Sequence, residues 1–280
     1  MSDQLITSGV ESAAIVPELW SGRFYEVLLA ELPFNGSISR DYENEISDLG
    51  DIVNISTIPE FSGATELSEG QRNDADAVTI TKQQLVVNKR LVKDFIVTKR
   101  AQLQSLPMMD KLREHAVYAI MKKMQSIIIE TIIPSATGPD HQIAFDSGTT
   151  MALADILEAK ELLDNQDVPA QDRKLISGVA QYNDLFNITG FTSRDFIPAG
   201  SPLTSGAIST PVLGFDVALT SELGNVGYAF HPSFMTMAIQ DNLNISVYDL
   251  GVDGVRGNRV NVDLLFGVKQ LDNKRVVKIS

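Results

Sequence analysis

The three histidines, His115, His141 and His231, are the first candidates for chemistry in this sequence, because an imidazole can serve as base, acid or metal ligand near neutral pH. They lie far apart in the chain, and no two share the spacing of a metal motif such as HExxH. The sequence contains no cysteine, which removes disulfides, thiolate metal sites and thiol nucleophiles together. That absence fits a reducing compartment. Neither a GxSxG nucleophile elbow nor a GxxxxGK[ST] phosphate loop occurs. Gly251, Gly254 and Gly257 form a GxxGxxG pattern, but it precedes an expected strand and does not open a helix, so it reads as a turn and not as a phosphate cradle. Acids are numerous, yet no pair stands out as a glycosidase couple. The residues therefore nominate no catalytic, cofactor-binding or metal site, and the expectation is a protein that is not an enzyme.

Charge is more informative. The chain has 280 residues and a formal net charge of -13, which argues against general nucleic-acid binding, since affinity for phosphate backbones rests on clustered Lys and Arg. The distribution is segregated. Asp41 to Asp76 carries ten acids against the single base Arg72. Lys82 to Lys123 carries ten bases against Asp94, Asp110 and Glu114. Charge runs are commonly just solvated surface, but complementary fields also steer and register partners. The start of the chain has an early acid and no basic region, unlike a secretory signal. No stretch approaches the roughly 18 apolar residues of a membrane span. The expectation is a soluble protein made in a cytoplasm, without a membrane partner.

The elements that would carry these charges centre on Asp110 to Ile133, read as one long helix. Leu112, Ala116, Ile120, Met124 and Ile127 recur at helical spacing, Val117 and Ile128 widen the stripe, and Pro134 stops it. At 1.5 Å per residue it would be about 36 Å long. Upstream, Pro17 to Leu32 reads as a short amphipathic helix with Leu19, Trp20, Phe24, Val27 and Leu28 on one side, docking on its own core or on a neighbouring chain. Asp51 to Ile58 and Val78 to Val87 alternate at period two and read as a long hairpin around a polar loop. Such a ribbon is marginal by itself and needs a surface to lie on. Met151 to Leu163 reads as a helix with Leu153, Ile156, Leu157, Leu162 and Leu163 inward. A strand over Lys174 to Val179 and a helix over Ala180 to Phe186 follow, and Thr189 to Pro211 reads as an exposed loop. Strands fall near Val212 to Leu219, Gly227 to Phe230 and Ile245 to Tyr248. Met235 to Gln240 reads as a helical turn, with Met235 and Met237 as core fillers. Arg259 to Val268 and Arg275 to Ile279 read as a closing hairpin across LDNK.

This order of parts resembles the major capsid proteins of tailed bacteriophages, which have the Hong Kong 97 capsid fold. VPELWSGRFYEVL resembles their N-terminal arm helix. GDIVNISTIPEF with VTITKQQLVVNKRLVKDF resembles their extended loop and its return strand. RKLISGVAQYNDLF and PVLGFDVALTSELG resemble parts of their axial domain, and VNVDLLFGVKQLDNKRVVKI resembles the last strands of their peripheral domain. The resemblance covers nearly the whole chain and implies an α+β fold divided as follows: an N-terminal arm, residues 1–37; an extended loop, 38–92; a peripheral domain, 93–150, with the spine helix at 110–133; an axial domain, 151–254; and C-terminal strands, 255–280, returning to the peripheral domain.

By function, the resemblance implies a coat protein that self-assembles as hexamers and pentamers into an icosahedral shell around double-stranded DNA, in the virion, after assembly in the host cytoplasm. DNA would be enclosed without sequence-specific binding. Some relatives cross-link through an extended-loop Lys, but Asp41 to Thr81 contains no Lys, so none is expected here. There is no long helical extension to act as built-in scaffold, so a separate scaffolding protein is expected, with a portal. The expected interface places Trp20 and Phe24 as arm anchors. It sets Glu66, Glu69, Asp74 and Asp76 of one subunit against Lys93, Arg100, Arg113 and Lys122 of the next. The alternative with the same fold is an encapsulin-type nanocompartment shell.

Overall fold

The structure, a computed structural model, describes residues 32–45, 52–58, 63–64, 66–70, 72, 77–99, 108–146, 148–188, 206, 208, 211, 213–249 and 257–280. Its longest helix, α1, runs Met108–Thr131. Pro134 disfavours helical backbone at Ile133, so the helix ends before the residue that periodicity alone would allow. Its buried stripe is Ala116, Ile120, Met124 and Ile128, one residue every four, continued just past its end by Ile132. Leu112, Val117 and Ile127 are only partly buried, so the inward face is turned slightly from the expected one.

That stripe lies against a three-stranded antiparallel sheet. β3 (Lys89–Thr98) and β8 (Met235–Asp249) flank β9 (Gly257–Gln270). Val260, Val262, Leu264 and Phe266 alternate along β9 and face the helix side. Register places Leu91 beside Leu264 and Phe95 beside Val260. Met235 to Gln240 is therefore strand and not a helical turn: it pairs with Phe266 to Gln270 on β9. Met235 and Met237 are fully buried, as expected of fillers.

A second, mixed sheet has five strands in the order β4 (Gln142–Ile143), β10 (Val276–Ile279), β7 (Gly227–Phe230), β5 (Arg173–Ser177) and β6 (Phe215–Leu219). The closing hairpin expected from sequence is absent. β9 stays in the three-stranded sheet, while β10 crosses to pair with β4 and β7. A helix α2 (Leu153–Asp164) covers the five-stranded sheet through Ile156, Ala159 and Leu163, which meet Leu175, Phe215, Ala229 and Ile279. A short helix α3 (Val179–Leu185) follows β5. Leu153 and Leu157 were expected inside and stand outside, 39% and 45% exposed. The position between them that turns inward is the carboxylate of Asp155, which accepts hydrogen bonds from the backbone N–H of Ala152 (2.7 Å) and Asp146 (3.2 Å). Tying down the start of the helix fixes its rotation.

A 3-10 turn, Pro33–Gly36, wedges between the two halves. Phe34 is fully buried and stacks on Phe230, ring centroids 5.7 Å apart, and Asn35 Nδ2 donates to the Met121 carbonyl of α1 at 3.0 Å. The ribbon β1 (Ile52–Thr57) and β2 (Thr81–Val86) pairs in antiparallel register as expected. Its base rests on the three-stranded sheet through Val53, Ile55, Leu85 and Val87 against Ala238. Gly267 of β9 is what lets the ribbon approach: a Cβ there would run into the Val86 carbonyl and lie 2.9 Å from Val87 Cα. Gly267→Ala should lower stability by about 1–3 kcal/mol, the usual cost of overpacking, and should raise proteolysis of the 52–86 ribbon before the rest of the chain. Urea denaturation with limited proteolysis would measure both.

Candidate assembly interfaces

Two elements project apolar surface that the described residues do not cover. On the ribbon, one face holds Val53 and Ile55 against the core, and the other exposes Ile52 (43%), while Ile58 (68%), Val78 and Ile80 stand exposed beyond the paired segment. On the three-stranded sheet, the face away from α1 carries Val92 and Ile96 of β3 and Tyr248 of β8, all exposed. The cations of that face are neutralised within the chain. Arg90 pairs with Asp263 at 3.0 Å, Arg259 pairs with Asp94, and Asn261 Nδ2 donates to Asp94 Oδ1 at 2.6 Å. The contact with Asp94 holds the Arg259 guanidinium pKa above its usual value. The far end of β8 also leaves Ile245 and Val247 exposed beside Val262 and Val260. Scattered apolar residues need no explanation, but grouped ones on projecting strands mark contact surfaces.

The residues expected at the interface fall as follows. Glu66 and Glu69 are exposed in the loop of the ribbon. Lys93 is exposed on β3 and makes no ion pair among the described residues. Arg113 is partly buried on α1. Lys122 is exposed on α1 with its amine 3.9 Å from Glu222 of its own chain. Trp20, Phe24, Asp74, Asp76 and Arg100 lie outside the described residues. What the sequence reading missed is the apolar set Ile58, Val78, Ile80, Val92, Ile96 and Tyr248. The available signal was the presence of aliphatic residues on both faces of strands that otherwise alternate.

Two buried polar side chains tie elements of the fold together. Gln125, fully buried on α1, donates from Nε2 to Thr220 Oγ1 and Glu222 Oε2, both at 3.1 Å. Arg173, 2% exposed, donates to the carbonyls of Pro169 (2.9 Å) and Val168 (2.5 Å) and contacts Asp164 at 2.7 Å. Lys160 and Arg173 together hold the Asp164 carboxyl below the usual carboxylate range. Among the described residues no cluster of three or more His, Asp or Glu is placed to hold a metal, and no helix is long and apolar enough to cross a membrane.

Two histidines, His141 buried and His231 partly buried, have a pH consequence. His141 is fully buried with Nδ1 3.2 Å from the Val276 carbonyl, and His231 sets Nδ1 2.7 Å from Ser233 Oγ. Burial lowers both pKa values; nearby Arg275 adds to the effect at His231. The unfolded chain, titrating near 6.5, then binds protons that the folded chain refuses. Stability should therefore be full above about pH 6.5 and fall as pH drops toward the lowered folded values. Thermal melts from pH 8 to 5 should show the decline, and a His141→Gln, His231→Gln variant should show a flatter slope.

Comparison with known proteins agrees with this architecture. The structure is similar to a chain from Mycobacterium phage Che8, with a TM-score of 0.76 and 22% identity over 95% of this chain and 97% of that one. A capsid structure of cyanophage P-SCSP1u gives a TM-score of 0.72 with 12% identity over 99% and 96%. The capsid asymmetric unit of cyanophage Pam1 gives 0.70 with 13% identity over 100% and 98%. No curated protein matches the chain. The fold is thus the Hong Kong 97-like capsid fold, as the order of parts led one to expect. A family model described as phage capsid protein matches residues 72–280, and the chain belongs to that family. It is a phage capsid protein, a structural component of the virion shell. Nothing in the comparisons favours the encapsulin alternative.

Proposed function

We propose that the chain builds hexamers and pentamers by laying the acidic ribbon of one subunit over the basic β3 and α1 of the next. The carrying observation is the ribbon itself: it projects from the core, exposes Ile58, Val78 and Ile80, and bears Glu66 and Glu69 near its end. Glu66, Glu69, Asp74 and Asp76 meet Lys93, Arg100, Arg113 and Lys122 across the subunit boundary, with the apolar residues supplying contact area. In this reading residues 1–37 form the arm, 38–92 the extended loop, and 93–150 with 255–280 the peripheral domain. Residues 151–254 form the axial domain near the capsomer axes.

The finished shell encloses double-stranded DNA, and its net charge of -13 lets it contain the genome without adhering to it. A separate scaffolding protein and a portal direct assembly in the host cytoplasm, and the chain itself performs no catalysis. A zero-length carbodiimide, which joins carboxylates to amines, tests the contact in assembled particles. Ribbon peptides linked to Lys93 or Lys122 peptides of another copy are expected. Ribbon carboxylates linked only within their own chain would overturn it.

A further inference from the structure

Among the described residues the chain passes between its two halves at three places: from α1 to β4 through residues 132–141, from β7 to β8 through 231–234, and from β9 to β10 through 271–275. The third passage is bonded to both of the others. On one side Gln270, at the end of β9, meets Ile133 with both ends of its amide. The Ile133 N–H donates to Gln270 Oε1 at 2.8 Å, and Gln270 Nε2 donates to the Ile133 carbonyl at 2.8 Å. The side chain thus supplies the pair of bonds that a neighbouring strand would make. Beside it, the Ser135 N–H donates to the Asn273 carbonyl at 3.0 Å. On the other side the Phe234 carbonyl accepts from the N–H of Leu271 (2.8 Å) and Asp272 (3.1 Å), and the His231 N–H donates to the Arg275 carbonyl at 3.2 Å. Arg275 adds its side chain, donating from Nη1 to Ser233 Oγ at 2.8 Å and from Nε to Asp272 Oδ2 at 3.1 Å.

The apolar contacts between the halves do not by themselves fix an angle. Ile176, Tyr228, Phe230 and Val276 of the five-stranded sheet share one core with α1 and β9. Such burial is non-directional, and packed layers can slide by small amounts. Hydrogen bonds weaken steeply with distance and angle, so they do fix direction. A single passage between two bodies is a swivel, whereas passages bonded side by side resist rotation about any one of them. We infer that the three passages form a locked joint, in which Gln270 and Arg275 are positioning residues that hold the two halves at one angle. Both side chains are only partly buried, so water can replace their bonds and loosening the joint need not unfold the chain. The ribbon stands on one half, against Ala238 of β8, and the other half carries α2 and the five-stranded sheet. In a shell every copy repeats the angle between them, so the joint sets curvature. That consequence rests on the shell reading; the joint itself does not.

The chain has no cysteine, so nitroxide labels can be placed at Lys89→Cys on β3 and Glu158→Cys on α2, both exposed and one on each half. Labelled chain is diluted into unlabelled chain, and pulsed electron resonance reads the distance within each copy. One narrow distribution is expected. Gln270→Leu combined with Arg275→Met should broaden it, and Lys269→Met, exposed and outside the joint, should leave it as it was. In Gln270→Leu alone the Ile133 amide should exchange with solvent about tenfold faster, the effect of one ordinary hydrogen bond, while exchange at Met124 stays the same. A double variant that does not fold is replaced by Gln270→Glu, which keeps the acceptor for Ile133 and loses the donor, and the same broadening is expected. A distribution as narrow as the parent's overturns the joint, whatever particles form. In electron micrographs the loosened variant should give particles of more varied diameter than the parent. Uniform diameters despite a broadened distance overturn the effect on curvature and leave the joint standing. Absence of particles from the unmodified chain, even with scaffold, overturns the shell reading, and the label distance still decides the joint.

Discussion

A chain with Glu66, Glu69, Asp74 and Asp76 all changed to Lys should fold normally and form no shells. Normal folding is expected because Glu66 and Glu69 are exposed and make no ion pair among the described residues. The expected loss of assembly follows from repetition. One exposed ion pair contributes only about 0–1 kcal/mol, so Glu66→Lys alone should assemble with yields close to the parent. Four reversals turn four attractions into four repulsions at every subunit boundary, and a closed ring repeats that boundary around its axis. Wild-type assembly should weaken at high salt for the same reason, since exposed charges are screened. Light scattering and electron microscopy on the variant would measure the effect. A quadruple variant that assembles like the parent would remove the electrostatic contact from the account and leave the apolar ribbon residues to carry it.

The second large effect concerns the spine. Met124 and Ile128 are fully buried neighbours on the inward stripe of α1, one turn apart. They meet a core that also includes Phe34, Phe230 and the inward residues of β9. Met124→Ala and Ile128→Ala should each cost about 2–5 kcal/mol through lost burial and a residual cavity. Together they approach the roughly 5–15 kcal/mol that holds a typical protein folded, so the double variant should be largely unfolded or insoluble at 37 °C. The two sites belong to the same core cluster, so their costs need not add. Ile127→Ala, at the partly buried margin of the stripe, should cost distinctly less. Urea unfolding of the three variants would rank them, and equal costs at 127 and 128 would mean the helix is rotated from the face described.

Much of this organisation was legible in the sequence where the signal is local. The spine helix shows itself through a four-residue repeat and a terminating proline. The ribbon shows itself through two period-two runs, and their pairing followed from proximity along the chain. Misreadings arose where the deciding partner is distant in sequence. The segment from Met235 read as a helical turn; only its pairing with Phe266 to Gln270 makes it extended. LDNK resembled a hairpin turn, and no local residue reports that the following strand joins β7, more than 40 positions upstream. Leu153 and Leu157 looked inward because leucine is usually buried, yet Asp155 fixes the helix the other way by capping its own first turn.

The interface was legible as charge segregation but not as surface. The sequence shows ten bases between Lys82 and Lys123, and it does not show that the chain engages some of them itself: Arg90 with Asp263, and Lys122 near Glu222. Those pairings span about a hundred residues or more and are invisible to composition. Lys93 is the clearest remaining free cation among the described residues expected at the interface. The exposed aliphatic residues of the ribbon and of β3 were hidden because strand alternation suggests that one face is always buried.

The most direct test is negative-stain electron microscopy, with light scattering, of the chain expressed alone and with a neighbouring scaffold gene. Closed shells or capsomer rings are expected in at least the co-expressed sample, with regular size only where scaffold is present. A uniform monomer in both samples would contradict the account.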